Sequence, residues 1–343
     1  ENKLTLVADL QEWESKWAIN SEKGFIYFPT PRSISSSSGD DEGSRERFSI
    51  SLNLSNKNAL YDSAEINYYT QETEQSQITV QNQVSFFGGM QAPPTPTMRI
   101  RDFDFNQSID GFSFEAYKSA GDYQMIYGLD IEDTETERPR MLTEINLITG
   151  MATNIVDGET YPNKTFPDSE TKRKAVFFNN RFGLSDSSVL TIGFRYDDYE
   201  LNTSPDLLLS NANILNYQIS NTEDSAFTFK LGYLQDLSEN LTGFVQYAEG
   251  FKAPNYETSN TVFTNYLYFY TVTPNPNLGS EESDTIEIGL RGSGENDSWE
   301  LAMYRSEVEG FIHPEAVGFS RGLGIYQYQN AENVEIQGIE FDY

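Results

Sequence analysis

From about residue 111 onward, apolar side chains recur at every second position. In SVLTIGFRYDDY, Leu190, Ile192, Phe194 and Tyr196 fall on one face and Thr191, Gly193, Arg195 and Asp197 on the other. AFTFKLGYL repeats the pattern, with Phe227, Phe229, Leu231 and Tyr233 opposite Thr228, Lys230 and Gly232. DYQMIYGLDIED, DTIEIGLRG and SWELAMYRSE do likewise through Tyr123 to Ile131, Ile286 to Leu290 and Trp299 to Met303. A period of two marks half-buried strands rather than helices. Their second face carries charge and glycine, which a dry sandwich core tolerates poorly and a wet barrel lumen accepts. Each segment is about ten residues long, the length a tilted strand needs to cross a bilayer.

The connections alternate as well. Short links are expected at 119–122, 185–188, 237–240 and 293–297, and again at 330–333. Long ones are expected at 133–173, 200–224, 250–282 and, more modestly, 310–323. A meander with every second link extended has tight turns on one rim and large loops on the other. The predicted fold is therefore all-β: an antiparallel up-and-down transmembrane β-barrel, here incomplete, with about fourteen to sixteen strands in one domain over residues 1–343.

Composition narrows the function. Lys and Arg number 23 against 53 Asp and Glu, a net charge of −30, so a polyanionic nucleic acid is excluded as a partner. Cysteine is absent and there is one histidine, which removes thiol chemistry, disulfides and a Ser-His-Asp set. No enzymatic activity is expected. Aromatic residues make up 14% of the chain, as suits a wall with interfacial girdles. The acidic runs SGDDEGSRE (38–46) and DIEDTETE (130–137) lack the spacing of a calcium loop and read as solvated loop charge.

GFKAPN followed by NPNLGSEESDTIEIGLR resembles the paired Phe-Arg-Ala-Pro and Asn-Pro-Asn-Leu motifs of TonB-dependent outer-membrane receptors, nearest the haem and haemoglobin branch. KAVFFNNRFGLSDSSVLTIGFRYDDY and YQNAENVEIQGIEFDY are similar to further strand signatures of that family. Phe251, Ala253, Pro254, Asn275, Pro276, Asn277 and Leu278 match the motifs, with Lys252 in place of the usual Arg. The resemblance implies a Gram-negative outer-membrane address. It also implies a plug domain ahead of this region and further strands after it, so the chain is expected to be part of a longer receptor. The plug would contact the TonB–ExbB–ExbD complex, and the outer loops would capture an iron chelate: haem or a haem-carrying protein first, a ferric siderophore second. No cofactor is expected to stay bound.

The branch places a histidine between the two motifs. Here that interval has none and offers Tyr266, Tyr268 and Tyr270, whose tyrosinate form can ligate haem iron. These rings also fit a ligand-stacking surface, or a girdle where a strand leaves the membrane. The motif residues equally suit bracing of the loop base, since Pro and Asn end strands by themselves. His313 is a weak metal-ligand candidate on an expected outer loop. A non-transporting acidic surface protein and a passive porin remain alternatives. A continuous apolar band around the outside separates a membrane barrel from a sandwich, which buries the same side chains.

Overall fold

The computed structural model describes residues 2–20, 24–294 and 297–343. Twelve long strands form its wall: β1 (Lys3–Ile19), β2 (Arg32–Leu54), β3 (Ser63–Ser85), β4 (Thr95–Ala120), β5 (Tyr123–Glu137) and β6 (Asp168–Ser185), then β7 (Ser188–Ser204), β8 (Thr222–Ser238), β9 (Leu241–Lys252), β10 (Glu281–Ser293), β11 (Ser298–Ser320) and β12 (Leu323–Asp342). Each pairs antiparallel with the next in chain order. With short added pieces they make one 18-stranded sheet. The expected fourteen to sixteen strands lie between these two counts. Among the described residues β1 and β12 do not pair with each other, so the sheet is open.

The register explains why the outer face is oily. One row of ladder partners runs Leu52, Ile66, Phe114, Leu129, Val176, Tyr196 and Phe227 across β2 to β8. A second runs Tyr123, Phe182, Leu190, Tyr233, Val245, Ile288, Met303 and Ile339 across β5 to β12. A one-residue slip anywhere would turn a whole strand inside out, so the two rows fix the register. They are not covered by protein: Tyr196 is 43% exposed, Phe227 62% and Ile288 60%. Among the described residues the one buried apolar cluster, of Leu142, Val156 and Tyr161, belongs to the link 138–167. A sandwich would have buried these rows, so they face lipid.

The opposite face is polar, with rungs such as Gln246–Glu287 and the Arg195–Asp197 ion pair at 2.9 Å. Its mid-strand glycines receive aromatic rings from neighbouring strands. A Cβ on Gly111 would collide with Tyr69, and one on Gly289 with Phe244. Glycine here lets a ring lie flat across the lumen wall.

Short and long links alternate from rim to rim. Turns at 121–122, 186–187 and 239–240 occupy one rim, and links 138–167, 205–221 and 253–280 the other. The expected turn at 293–297 includes residues 295 and 296, which lie outside the described residues.

Three expectations need correction. The link at 310–323 and the turn at 330–333 are both strand: β11 and β12 pair from Glu300–Asp342 to Ser320–Leu323 around a turn at 321–322. Arg321 and Gly322 have φ of 52° and 84°, so both central residues adopt the left-handed form that a two-residue hairpin turn requires. The acidic runs 38–46 and 130–137 likewise lie in β2 and β5, not in loops. Above the lipid both faces of a strand meet water, so hydropathy stops alternating while hydrogen bonding continues.

Placing charge on the lipid row is the direct check on this arrangement. Ile288→Arg is expected to cost about 2–4 kcal/mol in denaturant unfolding from lipid vesicles. Glu287→Gln, on the lumen face, should cost less than about 1 kcal/mol.

Candidate outer-loop binding site

The strand carrying the first motif ends at Lys252, two residues beyond the expected break at Gly250, because Gly250 and Lys252 still pair with Ser283 and Glu281. It stops at Ala253 because Pro254 has no N–H for the ladder. Pro254 is fully buried, and its carbonyl accepts the Tyr199 hydroxyl of β7 at 2.9 Å. Asn255 then caps a short helix, α1 (Tyr256–Asn260), by accepting the Thr258 N–H at 2.8 Å.

The second motif anchors the other end of the link. Buried Asn275 donates to the Tyr328 carbonyl of β12 at 2.8 Å and accepts the Asn277 N–H at 3.0 Å. Its own N–H donates to the Ser259 carbonyl at 3.0 Å. Leu278 is buried, whereas Pro276 and Asn277 are exposed. Lys252 pairs with Glu281 at 2.8 Å, and the same carboxylate oxygen accepts the Ile312 N–H. Phe251 and Ala253 are half-buried.

The three tyrosines do not converge. They lie on a hairpin formed by Phe263–Asn265 and Tyr270–Thr273, which runs parallel to Gly324–Gln327 of β12. Tyr266 lies against Gly158 of the link 138–167. Tyr268 stands 72% exposed at the tip. Tyr270 meets Tyr326 edge-on with ring centres 5.9 Å apart. Beside them Phe269 adopts a left-handed φ of 57°, rare for a bulky residue, while stacking on Phe28 at 5.0 Å. Tyr266, Tyr268 and Tyr270 are not on wall strands, so the girdle reading does not apply to them. His313 is half-buried in β11 opposite Gln329 rather than on a loop, and its Nδ1 has no hydrogen-bond partner.

The link 138–167 folds over the top of β4, where Pro139–Asn146 pairs with the Thr97–Phe103 segment. Buried Arg99 holds both Glu144 and Asp157, the latter at 2.6 and 3.1 Å, and Arg32 reaches the same Asp157 at 3.2 Å. Burial, with Arg99 adjacent, lowers Arg32 to about 10. Lys164 bridges Asp168 at 2.6 Å and Asp206 at 3.0 Å, joining this link to the next, where Asp206 caps a second short helix, Leu207–Ala212. The Val262 N–H donates to the Thr165 carbonyl, and Phe166 packs on Tyr256 at 4.8 Å. The long links are thus knitted into one layer.

Beneath them lies a cavity of about 750 Å³ lined by Tyr69, Glu132, Arg173, Arg195, Tyr199 and Lys252, among others. It opens where β8 and β9 part above the Lys230–Ala248 pair, and there Glu249 accepts the Phe229 N–H at 2.8 Å. Tyr69 donates to Glu132 at 2.8 Å, and Arg195 reaches Asp130 at 3.2 Å. Of the lining, Phe251, Lys252 and Ala253 were singled out from sequence as site residues, and Arg195 and Asp197 only as part of a polar strand face. The signal available for the others was their place on the polar face of regular strands. The arrangement supplies charge, rings and hydrogen bonds for binding.

A lipid-facing apolar band, a polar lumen and large loops knitted over one rim define an outer-membrane β-barrel of the receptor kind. The chain belongs to the TonB dependent receptor-like β-barrel family, whose model matches residues 2–343. It is 25% identical over 199 residues to the Hemoglobin-haptoglobin utilization protein B of Neisseria meningitidis serogroup A / serotype 4A, covering 51% of this chain and 24% of that protein. It is 27% identical over 191 residues to the Vitamin B12 transporter BtuB of Photobacterium profundum, covering 50% of this chain and 30% of that one. The chain therefore spans about a quarter to a third of these relatives. The Copper transporter OprC shares the fold with a TM-score of 0.61 at 14% identity, covering 97% of this chain and 50% of that one. The hemophore receptor HasR of Serratia marcescens does so with a TM-score of 0.53 at 12% identity, covering 99% and 60%.

The Lys164–Asp206 tie gives a pH signature. Burial alone would raise Asp206, but the Leu209 N–H and Lys164 outweigh it and hold the carboxyl below its ordinary 3.8. A depressed carboxyl stabilises the fold above its ordinary value and loses that contribution as pH falls through the folded value. Limited proteolysis within 138–167 and 205–221 should therefore accelerate below about pH 4, and Asp206→Asn should be cleaved faster at neutral pH with a smaller acid effect.

Proposed function

We propose that the chain forms part of the wall and capture surface of a receptor that imports an iron chelate. Haem or a haem-carrying protein comes first and a ferric siderophore second. The observation that carries this reading is the layer of long links, bound together by Tyr199–Pro254, Asn275–Tyr328 and Lys164–Asp206 over a charged cavity. Such a layer offers a preformed concave surface to an outside ligand. A passive porin has less need of a lumen roofed by its own outer links.

The similarity to a haemoglobin-haptoglobin utilization protein favours haem, and the similarity to a vitamin B12 transporter adds a corrinoid as an alternative to an iron chelate. Import would be driven by the TonB–ExbB–ExbD complex acting through the plug segment that the family implies. No covalent chemistry is required, only binding followed by a driven conformational change.

Growth of a deletion strain on haem, on a ferric siderophore or on vitamin B12 as the limiting nutrient tests the choice. Loss on haem alone supports the first reading, and loss on B12 alone moves the assignment to corrinoids. Unchanged growth on every source removes nutrient uptake of these kinds. At the residue level, Tyr268 is the ring free to meet iron; Tyr268→Phe should weaken haemin binding to the receptor at least tenfold. Equal affinity would exclude tyrosinate ligation at that position.

A further inference from the structure

Acids outnumber bases by more than two to one in this chain, so a lysine or arginine near the loops has carboxylates at hand. Among the described residues several arginines at the outer rim nevertheless lack one, Arg138 and Arg321 included, and two of them, Arg101 and Arg140, share one face. The Arg101 side chain makes no hydrogen bond and no ion pair among the described residues, and the Arg140 side chain makes none either. Both are half-buried, open enough for a ligand to reach and enclosed enough for an uncompensated charge to be costly.

Their positions are set by one ladder. Arg101 pairs in register with Leu142, and Phe103 pairs with Arg140. The two arginines are therefore diagonal neighbours on the same face, with backbones roughly 7–8 Å apart. That face also carries Arg99 and Glu144, two rungs further along. The Arg140 guanidinium lies 4.8 Å from the Phe103 ring centre, 5.4 Å from Phe263 and 5.8 Å from Tyr161. Rings orient the cation but accept none of its N–H groups in the plane of the fork.

The neighbouring charges are committed elsewhere. Glu144 is taken by Arg99, and Asp157 by Arg99 and Arg32. Glu159 accepts the Tyr161 hydroxyl at 3.1 Å and the Asn163 amide at 3.5 Å. Four guanidiniums (Arg32, Arg99, Arg101 and Arg140) thus meet three carboxylates, in a chain whose overall balance is the reverse. Asn163, opposite Arg140 in register and fully buried, also has an unpartnered Oδ1.

We propose that Arg101 and Arg140 are the anion-binding part of the ligand site and receive carboxylate groups of the captured molecule. This deepens the uptake reading and rests on it. A guanidinium fork matches a carboxylate in plane, and the flanking Phe103, Tyr161 and Phe263 rings supply apolar contact for the body that carries the acid. The class of ligand is a planar or compact chelate bearing free carboxylates, as opposed to a neutral or cationic one.

The test is calorimetric titration of the full-length receptor in detergent at fixed ionic strength, with citrate as probe and sodium phosphate and sodium chloride as separate arms. Saturable citrate binding is expected, weakened at least fivefold in Arg101→Gln and at least tenfold in Arg101→Gln/Arg140→Gln. Arg321→Gln, at the tip of the β11–β12 hairpin, should bind as the parent does. Arg101→Gln loses no internal bond, so its thermal unfolding should be unchanged or raised, which separates a ligand role from a structural one. Absence of saturable citrate binding, equal affinity in the double variant, or phosphate binding as tight as citrate would overturn the assignment. Such a result leaves nutrient uptake to be decided by the growth assay, which does not depend on these side chains.

Discussion

A strand cannot leave its backbone polar groups unpaired in hydrocarbon, and this constraint shapes the chain. It is met by eleven consecutive antiparallel pairings from β1 to β12, each strand from β2 to β11 satisfied on both sides by its neighbours in the sequence. Once the ladder is set, the pleat divides the side chains into two populations: the Leu52-to-Phe227 and Tyr123-to-Ile339 rows outward, the Arg195, Gln246 and Glu287 positions inward. Binding surfaces arise only where that division ends.

Above the lipid the chain changes its means of support. The outer links are held by buried polar contacts beside a small apolar cluster: Arg99 between Glu144 and Asp157, Lys164 between two aspartates, Asn275 between β12 and α1. Breaking one member of a buried charged set leaves the other uncompensated, at a cost of roughly 3–5 kcal/mol. A layer built this way is firm at its base while its tips, such as Tyr268, stay in water. That division suits a surface that must hold a shape and still present side chains to a ligand.

The wall was legible in the sequence and the site much less so. Period-two patterning identified β5, β7, β8, β10 and β11 and the alternation of short and long links between 119 and 282, because lipid imposes an apolar residue at every second position. It failed at 310–323 and 330–333, and at the acidic runs in β2 and β5, because strands rising into water carry no such alternation. The motif residues around Pro254 and Asn275 were found through resemblance, but their bonds to Tyr199 and Tyr328 join positions 55 and 53 residues apart. Three tyrosines at alternate positions suggested one cluster; the hairpin gives each different surroundings. Arg99 and Arg101 were not singled out from the sequence, and only the ladder shows that one is consumed and the other free.

The central claim is that the two faces of each strand look into different solvents. Because the chain has no cysteine, single cysteines placed in turn at 190 to 197 of β7 can carry spin labels in the receptor reconstituted into vesicles. Oxygen accessibility is predicted to peak at 190, 192, 194 and 196, and accessibility to a water-soluble nickel chelate at 191, 193, 195 and 197. Labels on the even row shielded from oxygen, or no alternation between the two reagents, would contradict the account.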